Sequence, residues 1–103
     1  MALTRTTYQK EEISIDMPCS DTFHTVLAAL KGIGKVQSAQ EKFGRIVGSV
    51  GSGTWNMNKA DLTIQVHPSG ENGSKVVITA TAQEGLISQN TAAKAITRLL
   101  DAL

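Results

Sequence analysis

The chain has 103 residues, so it is read as one domain spanning 1–103, large enough to bury a core without metals or disulfides. Hydrophobic residues make up 41% and charged residues 18%, a globular rather than a disordered composition. The net charge of +1, with Lys and Arg scattered along the chain, argues against a nucleic-acid binder; no apolar stretch reaches the roughly 18 residues of a membrane span.

Aromatic residues are 4% of the chain, so Ile, Val, Leu and Ala must build the core. The one cysteine, Cys19, has no internal disulfide partner. The N-terminus lacks a signal-peptide core. The expected compartment is therefore the cytoplasm, or an exported or membrane-tethered setting if a leader has been removed.

Residues 1–7 are expected to fray. An extended pattern begins at Tyr8. Ile13, Ile15 and Met17 alternate with Glu12, Ser14 and Asp16, the period of a half-buried strand that Pro18 ends. A helix over 20–31 follows. Ser20 is its expected N-cap, Phe23, Val26, Leu27 and Leu30 form its apolar stripe, and Lys31-Gly32 closes it.

Two hairpins come next. The inward set of the first is Val36, Ser38, Ile46, Gly48 and Val50, all even-numbered. Cross-strand partners share a face, so an odd loop is needed. Lys42-Phe43-Gly44 supplies three residues, with Gly44 left-handed and Val36 opposite Val50. In the second hairpin Leu62, Ile64 and Val66 face Val76, Ile78, Ala80 and Ala82 across the loop Glu71-Asn72-Gly73, with Gly73 left-handed. A two-residue Asn72-Gly73 turn would split the apolar rows between faces. A final helix, capped by Ser88 or Asn90, carries the stripe Ala92, Ile96, Leu99, Leu100 and Leu103.

The order is β-α-β-β-β-β-α. The first strand can pair antiparallel with the last, giving a five-stranded antiparallel α+β sheet of order 2-3-4-5-1 with both helices on one face. Gln37, Ala39, Val47, Thr63, Gln65, His67, Val77, Thr79 and Thr81 fall on the other face.

Candidate chemistry is sparse. Cys19 near a helix start is a conceivable nucleophile, set against a small residue at a junction. His24 and His67 are expected on opposite sides of the sheet, so no metal set is read. Glu11 and Glu12 point to opposite faces and cannot flank a substrate, and Asp16 is a solvated strand residue. The run Gly48–Gly53 matches neither phosphate-loop pattern, and no helix starts after it to supply amides. Small inward residues leave two readings open: close helix packing over Gly48, or a cavity for an apolar ligand beneath the second helix. The segment Trp55, Asn56, Met57 and Asn58 is the candidate contact site, set against Trp55 as a lid on the core.

Ile13-Ser14-Ile15 before Ser20-Asp21-Thr22-Phe23, the glycine hairpin Gly44-Arg45-Ile46 and the terminal Ala92–Leu103 helix together carry a resemblance of topology. In element order the chain resembles small bacterial helix-grip-like domains, such as those in outer-membrane-assembly lipoproteins. The resemblance implies a curled sheet around a C-terminal helix and carries over no functional residue.

The expected function is a non-enzymatic binding or interaction module of unknown partner, a protein or a small apolar ligand, without a cofactor, with a homodimer through the outer sheet face or edge strand as one route. The alternative is a small carrier of an apolar ligand between sheet and C-terminal helix. A Cys19-dependent enzyme is the third reading.

Overall fold

The computed structural model describes residues 5–51, 59–84 and 90–103. The elements are β1 (Arg5–Ile15), α1 (Cys19–Ile33), β2 (Lys35–Gln40), β3 (Arg45–Gly51), β4 (Lys59–Ser69), β5 (Gly73–Glu84) and α2 (Thr91–Ala102). The strands form one antiparallel sheet of order β1-β5-β4-β3-β2, the order expected from the sequence.

Alternation decides which side is dry. In β4 and β5, Ala60, Leu62, Ile64, Val66, Val76, Ile78, Ala80 and Ala82 are buried, while Thr63, Gln65, Thr79 and Thr81 between them are half-exposed. Against this row pack Phe23, Val26 and Leu30 of α1 and Ala92, Ala95, Ile96 and Leu99 of α2. Each large aliphatic side chain so buried stabilises the fold by about 1.5–3 kcal/mol before entropy is counted.

Several local expectations are corrected. β1 opens at Arg5, not Tyr8, because residues 5–7 pair with 82–84 of β5. Thr7 adds a bond from its hydroxyl to the Ala82 carbonyl, 3.2 Å. α1 starts at Cys19, because Pro18 is the capping residue. Its backbone is extended (φ −60°, ψ 157°) and its carbonyl accepts the Thr22 N–H at 2.9 Å. Ser20 is thus inside the first turn, and its hydroxyl donates to Glu41 instead of capping.

α1 also runs past Gly32 to Ile33, with Gly34 as its C-cap. A Cβ on Gly32 would meet nothing, whereas one on Gly34 would sit 2.2 Å from the Ser49 carbonyl oxygen. Gly34 is thus the glycine that packing requires, where the chain passes against β3.

The first hairpin reaches the required parity by another route. Its loop has four residues, a 3-10 turn at Glu41–Phe43 and then Gly44, which is left-handed as expected (φ 65°). An even loop sets Ala39 opposite Ile46 and Ser38 opposite Val47. A bulge between Val36 and Ser38 then restores the parity, so Val36 faces Gly48 rather than Val50. Ser38 consequently lies in the outward row and Ala39 in the helix-side row, the reverse of expectation. Both are exposed on this edge strand.

The second hairpin keeps its apolar rows together, but its loop is Gly70-Glu71-Asn72. Ser69 pairs with Gly73, and Gly70 (φ 69°) is the left-handed residue. Val66 faces Val76 and Ile64 faces Ile78. Glu11 pairs with Ile78 and so belongs to the inward row, yet stays exposed at the sheet margin.

At α2, Asn90 holds the N-cap position in a left-handed conformation (φ 54°), without a capping bond from its side chain. Ala95 joins the buried seam, and Leu103 is 40% exposed beyond the helix end. Ser88 lies outside the described residues.

Candidate functional site

Alternating strand direction brings one set of element ends together. The end of α1, the start of β2, the end of β3 and the start of β4 all lie at the same end of the sheet. There a cleft of about 350 Å³ opens, lined by Lys31, Gly32, Ile33, Gly34, Lys35, Ser49, Gly51, Lys59 and Arg98. The contacts that position them are local. Gly34 lets the α1–β2 junction approach the Ser49 carbonyl. Lys35 pairs with Ser49 and Gly51 with Lys59. From α2, the Arg98 guanidinium donates to the Gly51 carbonyl.

The electrostatics of this cleft are one-sided. Lys31, Lys35, Lys59 and Arg98 are cationic, and no acidic residue stands among the described lining. The ion pairs among the described residues lie elsewhere: Glu12 with Lys75 (3.2 Å) and Lys10 (3.9 Å), and His24 with Glu41 (2.8 Å). By register Asp61 stands opposite Ser49, and it is not part of the lining. The α1 C-terminus brings partial negative charge to this end, which favours Lys31 but gives an anion no free amides.

The sequence-derived candidates fall as follows. Trp55, Asn56, Met57 and Asn58 lie outside the described residues. The residues bounding that segment, Gly51 and Lys59, both line the cleft. Cys19 is half-buried at the opposite end of α1, its sulfur 3.6 Å from Ser74 Oγ. Ser74 in turn donates to the Met17 carbonyl at 2.7 Å and accepts from Thr22 Oγ1 at 3.1 Å. His24 is not aimed at this thiol. Its Nε2 sits 2.8 Å from Glu41 Oε1, while Ser20 holds the other carboxylate oxygen at 3.1 Å, so the three groups tie α1 to the 3-10 turn. His67 is exposed on the outward row. Among the described residues no three of His, Cys, Asp and Glu gather as a metal set. Gly48 is close-packed under Leu30.

The four cations were not singled out from sequence, where they are isolated single residues. The available signal was positional: Lys31, Lys35 and Lys59 each stand at an element end, and the meander gathers those ends.

No protein-family profile matches this chain, and no curated protein does. Among solved structures it is similar to the Mll3558 protein from Rhizobium loti, with a TM-score of 0.57 and 14% identity over 96% of this chain and 95% of that one. It is also similar to truncated norcoclaurine synthase from Thalictrum flavum, with a TM-score of 0.49 and 11% identity over 99% of this chain and 93% of that one. The first likeness shows a shared α+β sheet-and-helix fold, consistent with a helix-grip-like arrangement. Among the described residues no helix is long and apolar enough to cross a membrane.

Proposed function

We propose that this protein is a non-enzymatic binding module whose ligand occupies the strand-end cleft. The carrying observation is the cleft itself, built from α1, β2, β3, β4 and α2 together, with the exposed side chains of Lys31, Lys35, Lys59 and Arg98 on its lining. A volume of about 350 Å³ suits a small molecule. The lining offers three lysines, an arginine and one serine, a set suited to recognising a ligand by charge and hydrogen bonding. Trp55, Asn56, Met57 and Asn58 belong to the proposal through connectivity, since their segment leaves from Gly51 and returns at Lys59.

The test is a ligand-detected magnetic-resonance screen of anionic, cationic, neutral polar and apolar fragments, followed by amide mapping of each hit. Hits that move Lys31–Lys35, Ser49, Gly51, Lys59 and Arg98 support the reading. Hits confined to other surfaces overturn it.

A second reading is a small carrier of an apolar ligand between the sheet and α2, where the seam is made of small side chains, Ala60, Ala80, Ala82, Ala92 and Ala95; they are packed closed, so a ligand would have to part sheet and helix. Saturable uptake of a fluorescent fatty acid, reduced by Ala80→Leu, supports it. A fatty acid that does not bind removes it.

A further inference from the structure

We propose that the cleft takes a small phosphorylated compound, gripped through its phosphate oxygens by Lys31, Lys35, Lys59 and Arg98. This rests on the reading of the cleft as the binding site and adds the chemical class of the ligand. Among the described residues none of these four cations has a carboxylate partner within ion-pair distance, although the same chain pairs Lys10 and Lys75 with Glu12. Like charges gathered around one cavity repel each other, and an entering anion relieves that repulsion as well as gaining its own attraction. Residues 52–58 and 85–89, which flank Gly51, Lys59 and the end of β5, contain no Asp or Glu, and the acid that ends β5, Glu84, stands opposite Arg5 in the register.

The count of cations favours phosphate over a lone carboxylate. A single carboxylate leaves most of the positive charge uncompensated, whereas a phosphate monoester brings about −1.5 to −2 and three acceptor oxygens. A guanidinium gives planar paired donors and an ammonium a mobile point charge, and both suit phosphate oxygens. Arg98 spends one donor on the Gly51 carbonyl, which holds its side chain against the cleft wall while the others stay available. Helix amides take no part, because α1 presents its C-terminal end here. The grip therefore comes mainly from side-chain charge, and it should weaken steeply with salt.

Isothermal titration calorimetry of the whole chain with pyrophosphate provides the test, with citrate and neutral glycerol as parallel titrants and phosphatidate vesicles as a lipid arm. Saturable pyrophosphate binding is expected, tighter than citrate and absent for glycerol. Lys35→Gln and Lys59→Gln should each weaken it by about 3- to 10-fold, since a tenfold change corresponds to about 1.4 kcal/mol. Lys42→Gln, at the opposite end of the strands, should leave it unchanged. Asp61→Asn should tighten it slightly. Citrate binding with no pyrophosphate binding overturns the phosphate class, and vesicle capture without pyrophosphate binding overturns a soluble ligand. Cleft binding by neutral or apolar fragments alone overturns this inference while leaving the binding-module reading intact. A cleft that accepts no fragment of any class overturns both.

Discussion

A Cβ added to Gly48 would lie 2.8 Å from Leu30 Cδ2 and 2.3 Å from the Lys35 carbonyl oxygen. The bare backbone of β3 therefore lets α1 settle onto the sheet and lets the β2 bulge close over it. Leu30 is fully buried at this contact, and the α1–β2 junction beside it forms one wall of the cleft. Gly48→Ala should cost about 1–3 kcal/mol as an overpacking change, because one clashing atom is backbone and cannot swing aside. The melting temperature should fall by about 5–15 °C. An unchanged melting curve would mean that α1 rides higher on the sheet than described.

The Thr22–Ser74 pair makes a second stability prediction. These buried hydroxyls join α1 to β5, and Ser74 passes the chain of bonds on to the Met17 carbonyl. Ser74→Ala should cost about 1–2 kcal/mol, as the part-buried Met17 carbonyl loses its stronger donor. Thr22 Oγ1 lies 3.3 Å from that carbonyl and can partly replace it. A double-mutant cycle with Thr22→Val, read by urea unfolding, should therefore give a coupling of at least about 0.5 kcal/mol. Strict additivity would show that the two hydroxyls act independently.

Gly70 and Gly73 should respond differently to the same substitutions. Gly70 has open space around it, so its requirement is purely the left-handed backbone. Gly70→Ala should cost about 1–2 kcal/mol and Gly70→Asn clearly less, because Asn tolerates that conformation. At Gly73 the obstacle is contact, with a Cβ placed 2.6 Å from the Ser69 carbonyl oxygen. Asn should bring no relief there. Equal sensitivity to Ala and Asn at Gly70 would contradict the assigned turn.

Trp55 is the single tryptophan, so its emission reports on its own segment without interference. If that segment contributes to the site, saturating the cleft with pyrophosphate should change the emission intensity or maximum. Trp55→Ala should then weaken capture of a larger phosphorylated ligand, by up to about 2 kcal/mol for an aromatic anchor, with the melting temperature nearly unchanged. A large loss of thermal stability would identify Trp55 as a core lid.

Much of this architecture can be read from residue parity. The even-numbered aliphatics of β3, β4 and β5 demand a common face, and that demand recovers the side on which the helices lie, while the strand order follows from the consecutive hairpins and the antiparallel fit of the first strand beside the last. Parity does not fix the register of each strand pair. A three-residue loop moved by one position, or a loop longer by one residue with a bulge, satisfies it equally, which is why Val66 meets Val76 and Val36 meets Gly48. The choice between Gly32 and Gly34 as helix terminator, or Gly70 and Gly73 as turn residue, depends on what stands opposite in three dimensions. The cleft was hidden for a related reason. Lys31, Lys35, Lys59 and Arg98 come from separate elements, and only the fold gathers them.

The most direct measurement is a two-dimensional amide spectrum of the intact chain recorded through a pyrophosphate titration. Saturable shifts are expected, concentrated at residues 31–35, 49–51, 59 and 98, with Lys10, Lys42 and Lys75 unmoved. Shifts spread evenly over all the lysines, or none at the cleft, would contradict a phosphate site there.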